Sequence, residues 1–371
     1  MRNTFFDNIG RGASATTPVN RLANLTVFGT NPGALCGRVY VPAQLAECPA
    51  LVVVLHGCTQ TAAGYDHGSG WSQLAERYGF VLLYPEQDRS NNANLCFNWF
   101  EPGDIARDKG EALSIRQMIE AMVVAHGIDR DRIFVTGLSA GGAMTSVMLA
   151  TYPETFAGGA IIAGLPYGCA SNIQEAFGAM RARGQGRPDA LAALVRRASG
   201  HDGRWPSISV WHGTGDATVN PGNAEAIIEQ WLPLHGVSSP PSTDIVDGYP
   251  HRAWRNASGR IVVEAYSITG MGHGTPLDTG GADPSGVAGP YMLNVAISSS
   301  QRIAEFWGLT ANTMTRPEAA EQERDTPAIA GTSIVRRATK AQRIYPDPKP
   351  APGINVRRII EDALRAGGLM K

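Results

Sequence analysis

The sequence predicts an α/β protein built on a largely parallel sheet with helices on both faces. Three observations carry this. Short apolar runs alternate with segments of helical period along most of the chain. The runs at 51–55 (LVVVL), 80–84 and 208–212 (ISVWH) are continuous, as strands buried on both faces are. Gly-rich loops follow the carboxyl ends of several of these runs, where open α/β sheets form their sites.

In chain order, strands are expected at 35–41, 51–55, 80–84, 133–136, 158–163, 208–212 and 262–268. Between them, helices are expected at 72–78, 108–125, from the glycine-rich GLSAGG to about 151, across 172–199 with a break at 184–188, at 224–234 and at 294–307. In the helix at 108–125, Ile115, Met118, Ile119 and Met122 share one face and Gly127 is a suitable stop. Residues 56–71 and 86–102 read as long loops. Residues 1–30 are polar and read as a flexible N-terminal arm, so the main domain is placed at 31–309. The stretch 310–353 turns rich in Thr, Arg, Glu, Ala and Pro and reads as a linker. Residues 354–371 carry Val356, Ile359, Ile360 and Leu364 at helical spacing, a short C-terminal helix.

Composition excludes several classes. The 371 residues are 43% hydrophobic and 18% charged, which suits a folded core. A net charge of -1 gives no electrostatic drive toward nucleic acid or an anionic membrane. No apolar run is long enough to span a bilayer, and the N-terminal MRNTFFDNIGRGAS lacks the apolar stretch of a signal peptide. The five cysteines, Cys36, Cys48, Cys58, Cys96 and Cys169, form no CxxC pair, so a zinc or thioredoxin-like site has little support.

The residues that carry chemistry lie in the loops. Gly137-Leu138-Ser139-Ala140-Gly141 fits the G-x-S-x-G turn that lifts a serine above a sheet, and the apolar RIFVT run enters it. A serine hydroxyl needs a base. Among eight histidines, His273 in GMGHGTP follows the last sheet strand and lies late in the chain, as the order Ser, acid, His requires. His56 and His212 also close buried strands, but each precedes a Gly-rich turn and needs its own explanation. Asp216, in WHGTGDATV, is the acid expected to orient His273 and balance its charge. Two amides should receive a developing oxyanion: Ala140, and Cys58 in the loop after LVVVL.

Cys58 and Cys96 both follow carboxyl ends of strands and are expected to meet as a disulfide. A second bridge, Cys36 to Cys48, is also expected, with Cys169 left free. The segment Cys96-Phe97-Asn98-Trp99-Phe100 is too aromatic for a disordered loop, and Trp99 is expected to contact substrate.

At this point the chain resembles a known family. HGCTQTAAGYDHGSGWSQLAERYGFVLLYPEQ, CFNWFEPGDIARDKGEALSI, GLSAGGAMT, YGCA, WHGTGDATVNP and GMGHGTP together are similar to the polyhydroxybutyrate depolymerase family of esterases, which is related to feruloyl and acetylxylan esterases. The resemblance covers about 35–309. It implies an α/β-hydrolase fold, ester hydrolysis through an acyl-enzyme, and no metal or other cofactor. The family's triad falls on Ser139, Asp216 and His273. Many relatives are secreted, which implies an extracellular or periplasmic location despite the absence of a leader in this sequence. The expected partner is an ester, a short-chain polyhydroxyalkanoate polymer or its oligomers. A feruloyl or acetylxylan type of ester is the alternative. A dead hydrolase fold used for binding should lack a triad member, and this chain lacks none.

Overall fold

The computed structural model describes residues 20–183, 186–281 and 284–311. A ten-stranded sheet runs through it. In chain order its strands are β1 (Ala23–Leu25), β2 (Cys36–Tyr40), β3 (Leu51–Leu55), β4 (Val81–Glu86), β5 (Ile133–Leu138), β6 (Gly158–Ile162), β7 (Ser207–Gly213), β8 (Ser242–Val246), β9 (Tyr249–Arg255) and β10 (Ile261–Ile268). Their spatial order is β1-β2-β4-β3-β5-β6-β7-β10-β9-β8. The six strands from β4 to β10 in that order are parallel, and the outer pairs on both edges run antiparallel.

Helices cover both faces. They are α1 (Ala62–Ser69), α2 (Trp71–Tyr78), α3 (Gly110–His126), α4 (Ala140–Thr151), α5 (Ile173–Met180), α6 (Pro188–Ser199), α7 (Gly222–Trp231) and α8 (Ser299–Phe306). The run LVVVL explains the two-sided core. Leu51, Val53 and Leu55 pack with α3, α4 and α7 on one side, and Val52 and Val54 pack with α2 and α8 on the other. Trp307, just past α8, stacks on Phe134 at 4.7 Å and on Trp71 at 6.0 Å, which closes the second face. All twelve residues of α4 are buried, as a helix starting beneath the centre of a domain must be.

Several expectations are corrected. Residues 20–30, read as part of the arm, are seated: β1 pairs with β2, from Ala23 opposite Val39 to Leu25 opposite Gly37. The glycine-rich loop after β3 contains α1, capped by Thr61. Its glycines lower helix propensity but suit the packing, since a Cβ on Gly68 would lie 2.5 Å from Met292 Cγ. Tyr65 in the same helix is fully buried, and its hydroxyl meets Thr275 Oγ1 at 3.2 Å. The β8–β9 hairpin was not anticipated, because β8 is mostly exposed and has no apolar alternation. Its turn residues Asp247 and Gly248 both take positive φ, the Asp-Gly signature of a tight hairpin. The last helix begins at Ser299, not 294, because Met292–Asn294 form β12, which pairs with β11 (Thr275–Leu277).

The Cys36–Cys48 bridge is absent, and both thiols are free. Cys36 pairs with Glu86 at the carboxyl end of β4, whereas Cys48 precedes β3, whose start pairs with the start of β4. The two cysteines therefore belong to opposite ends of the sheet, about five strand residues or ~17 Å apart along β4, well beyond the ~7 Å a disulfide spans. Cys169 is free as expected. The expected linker and C-terminal helix, and residues 1–19 of the arm, lie outside the described residues.

Candidate active site

Ser139 sits between β5 and α4 with φ 59 and ψ -117, a conformation that costs strain in a residue with a side chain. Its neighbours explain how the turn closes. A Cβ on Gly137 would lie 2.4 Å from the Gly141 carbonyl oxygen, and one on Gly141 would lie 2.3 Å from that of Leu55. Only glycine fits both places, and the tight turn brings α4 against β3. The Ser139 amide donates to the Ile162 carbonyl at 2.9 Å, which ties the turn to β6.

Asp216 and His273 come from the adjacent parallel strands β7 and β10. Their loops are laced together: Thr214 N donates to Ile268 O (3.0 Å), Gly215 N to Met271 O (2.9 Å) and Gly270 N to Thr214 Oγ1 (2.8 Å). His273 Nδ1 lies 2.7 Å from Asp216 Oδ2. The other carboxylate oxygen accepts from the amides of Thr218 (2.8 Å) and Val219 (2.9 Å). Burial alone would raise the Asp216 pKa. Hydrogen bonds from His212 and His273 outweigh it and hold the carboxyl well below its usual range. With Nδ1 committed to Asp216, Nε2 of His273 is the nitrogen left to accept a proton.

Ser139 lies between two cavities. A small one of about 200 Å³ is lined by Gly57, Cys58, Gln60, Ser139, His273 and Tyr291. Serine and histidine thus share one opening. The larger cleft holds about 720 Å³ of empty space and is walled mainly by Trp99, Phe100, Leu165, Phe177, Met180 and Val219. Trp99 is 8% exposed and meets Phe100 edge to face at 5.2 Å, so it belongs to the core and to the cleft wall at once.

Cys58 and Cys96 form a disulfide, with Cα atoms 4.2 Å apart. It joins the loop after β3 to the loop carrying Trp99, and a backbone bond from Thr59 N to Asn94 O (2.7 Å) runs beside it. The loop after β3 is further fixed by His56, whose Nδ1 lies 2.8 Å from the Gly57 carbonyl and whose Nε2 accepts from Gln87 N at 3.1 Å. Burial depresses the His56 pKa, so the ring is neutral and serves as a brace. Gln60 Oε1 takes up the Gly57 amide at 2.8 Å. Among the described residues the Cys58 amide has no internal acceptor, and Ala140 is the first residue of α4, where an amide has no intrahelical partner.

Sequence reasoning noted His212 but gave it no place beside Asp216, and it missed Gln60, Tyr291 and the α5 side of the cleft. His212 closes a strand four residues before Asp216, a spacing that was visible. The apolar residues of α5 read as ordinary packing until the fold set them beside Ser139.

A sheet of this order, with a serine turn at its centre and a paired Asp and His at the ends of later strands, defines an α/β-hydrolase. Comparison with known proteins specifies the kind. Residues 35–243 match the family model for esterase PHB depolymerase. Poly(3-hydroxyalkanoate) depolymerase C of Paucimonas lemoignei is 49% identical over 300 residues, 80% of this chain and 72% of that protein. Feruloyl esterase B of Talaromyces stipitatus is 34% identical over 267 residues, 69% of this chain and 73% of that protein. Acetylxylan esterase A of Emericella nidulans is 32% identical over 260 residues, 68% of this chain and 84% of that protein. The solved acetyl xylan esterase from Aspergillus awamori superposes with a TM-score of 0.66 at 28% identity, covering 78% of this chain and 99% of that one. The chain belongs to the esterase PHB depolymerase family and is a carboxylic ester hydrolase.

Proposed function

We propose that this chain is a serine esterase that works through an acyl-enzyme, with Ser139 as nucleophile, His273 as base and Asp216 as the acid that orients it. The single observation that carries this reading is the His273–Asp216 bond beside a strained serine that shares a cavity with His273. His273 Nε2 takes the serine proton as Oγ attacks the ester carbonyl, then returns it to the leaving alcohol. Asp216 stays ionised throughout. The Cys58 and Ala140 amides receive the oxyanion. Water, activated by the same histidine, then releases the acid.

The substrate is an aliphatic polyhydroxyalkanoate or its oligomers. Support comes from the 49% identity to a poly(3-hydroxyalkanoate) depolymerase and from a cleft walled by Phe, Leu, Met and Val, which suits an aliphatic chain better than a sugar. Trp99 lies against the acyl part of that chain. A disulfide joining the two site loops supports work outside the cytoplasm, where such bonds persist.

The test is turnover on poly(3-hydroxybutyrate) film and hydroxybutyrate oligomers beside methyl ferulate and acetylated xylan. The hydroxybutyrate esters are expected to be preferred. Preference for either of the others would reassign the substrate. Ser139→Ala should lower kcat by ~10⁶ with the fold intact. Near-normal turnover of that variant would remove the serine mechanism.

A further inference from the structure

His212 is buried at the end of β7, and neither the chemistry proposed above nor the core requires a histidine there. Its Nε2 lies 2.9 Å from the Val219 carbonyl oxygen and 3.3 Å from Asp216 Oδ2. Both neighbours are acceptors, so Nε2 carries the proton. Its Nδ1 is buried with no partner among the described residues. Leaving that nitrogen unpaired costs stability that an apolar side chain in its place would avoid. The ring is therefore oriented through Nε2 alone.

We propose that His212 is a positioning residue: its Nε2–H holds Asp216 Oδ2 in the geometry that His273 requires. The inference rests on the triad reading given above. Asp216 Oδ2 then faces two ring nitrogens, His273 Nδ1 at 2.7 Å and His212 Nε2 at 3.3 Å, the one His212 Nε2–H being shared with the Val219 carbonyl, while Oδ1 receives the Thr218 and Val219 amides. Val219 closes the device. Its amide holds Oδ1, its carbonyl holds His212, and its side chain lines the apolar cleft. The turn between His212 and Val219 is thus clasped at both ends around the carboxylate, and the clasp ends at the substrate wall.

The consequence is electrostatic as well as geometric. The His212 donor draws charge from the oxygen that faces His273, so it tempers the pull of Asp216 on the His273 proton. Without it, the imidazolium would be held more strongly and the base would work only at higher pH. The titratable groups in contact with the Asp216 carboxylate, among the described residues, are these two histidines, and Tyr291 faces the His273 ring at 6.1 Å. No Lys or Arg forms an ion pair with Asp216 among them.

The experiment is the pH dependence of kcat/KM on p-nitrophenyl butyrate for wild type, H212Q, H212L and H212N, per mole of folded protein. The Gln amide can place an N–H where Nε2–H stood, whereas Leu offers none and Asn is too short to reach. H212L and H212N are expected to lose about tenfold in kcat with KM nearly unchanged. Their acid limb should move up by about 0.5–1 pH unit. H212Q should recover both. H212N supplies the comparison if H212L does not fold. A wild-type acid limb and kcat in H212L or H212N would overturn the proposal, as would H212Q behaving no better than H212N. His273→Ala runs alongside. Substantial activity in that variant would overturn the triad itself, whereas an inactive His273→Ala with unshifted His212 variants overturns only the role of His212.

Discussion

Removing the Cys58–Cys96 bridge tests how the site is held. The bond closes a span of 38 residues that contains α1, α2, β4 and the part of the Trp99 loop that precedes Cys96. In the chain-entropy treatment, a loop of that length restrains the unfolded chain by about 4 kcal/mol. For a domain of this size each kcal/mol moves Tm by about 2–4 °C, so a Cys58→Ala/Cys96→Ala variant should melt roughly 8–16 °C lower. The effect on turnover should be smaller than losing an oxyanion donor outright, which costs ~10²–10³. Two other ties remain: Thr59 N to Asn94 O, and Gln87 Nε2 to Cys96 O at 3.0 Å. About a tenfold loss in kcat is expected. Calorimetry and p-nitrophenyl butyrate hydrolysis on the double variant, and on wild type with and without dithiothreitol, make the measurement. A Tm within ~2 °C of wild type together with an unchanged kcat would refute the reasoning, because the bridge would then restrain neither chain nor site.

Three further outcomes are expected. Trp99→Ala should lower kcat/KM for hydroxybutyrate oligomers about tenfold while leaving p-nitrophenyl acetate within about twofold, with a stability loss of ~3–5 kcal/mol because the ring is also core; equal losses on both esters would make Trp99 purely structural. His235 supplies a pH term. Burial first, with Arg260 and Arg204 nearby, pushes its pKa down to about 4 despite a hydrogen bond to Pro206. The unfolded chain therefore binds the extra proton between pH ~6.5 and ~4, and stability should fall by about 2–3 kcal/mol as pH drops through that window. His235→Asn should flatten that part of the curve in urea titrations at pH 7, 5.5 and 4, and an unaltered slope would count against it. Finally, a chain ended after Ala311 should keep its fold and its activity on soluble esters, since Leu309 is the last buried residue described; loss of soluble expression would show that the remaining segment is part of the domain.

Much of this protein could be read from local pattern. Continuous apolar runs marked the strands of the central sheet because burial on both faces favours apolar side chains at most positions. The serine turn was legible because its steric demands fall on neighbours in sequence: Gly137 and Gly141 stand where any Cβ would strike backbone. The Cys58–Cys96 pair was legible for a similar reason, since both cysteines follow strand ends on the same side of the sheet. Elements with weak local signals escaped notice. The helix α1 forms despite its glycines because Tyr65 and Gly68 pack against residues more than 200 positions away. The edge strands β1 and β8 are too short or too polar to show a period, and their backbones are ordered by the neighbours they pair with.

The sequence by itself determined the residue types, their order along the chain, and which strand end each occupies. Only the tertiary structure decided which of them touch. His212, Asp216 and His273 are ordinary loop and strand-end residues until β7 and β10 lie side by side in parallel. Cys36 and Cys48 looked close along the chain, yet their pairing was excluded once β2 placed them at opposite ends of the sheet. Trp99 and Phe177, on separate segments, became one apolar wall beside Ser139. The physical reason is the same in each case. Local sequence sets backbone conformation over a few residues, whereas contact between distant side chains depends on strand order and register. Those are fixed by the burial of the whole sheet, a property no single segment carries.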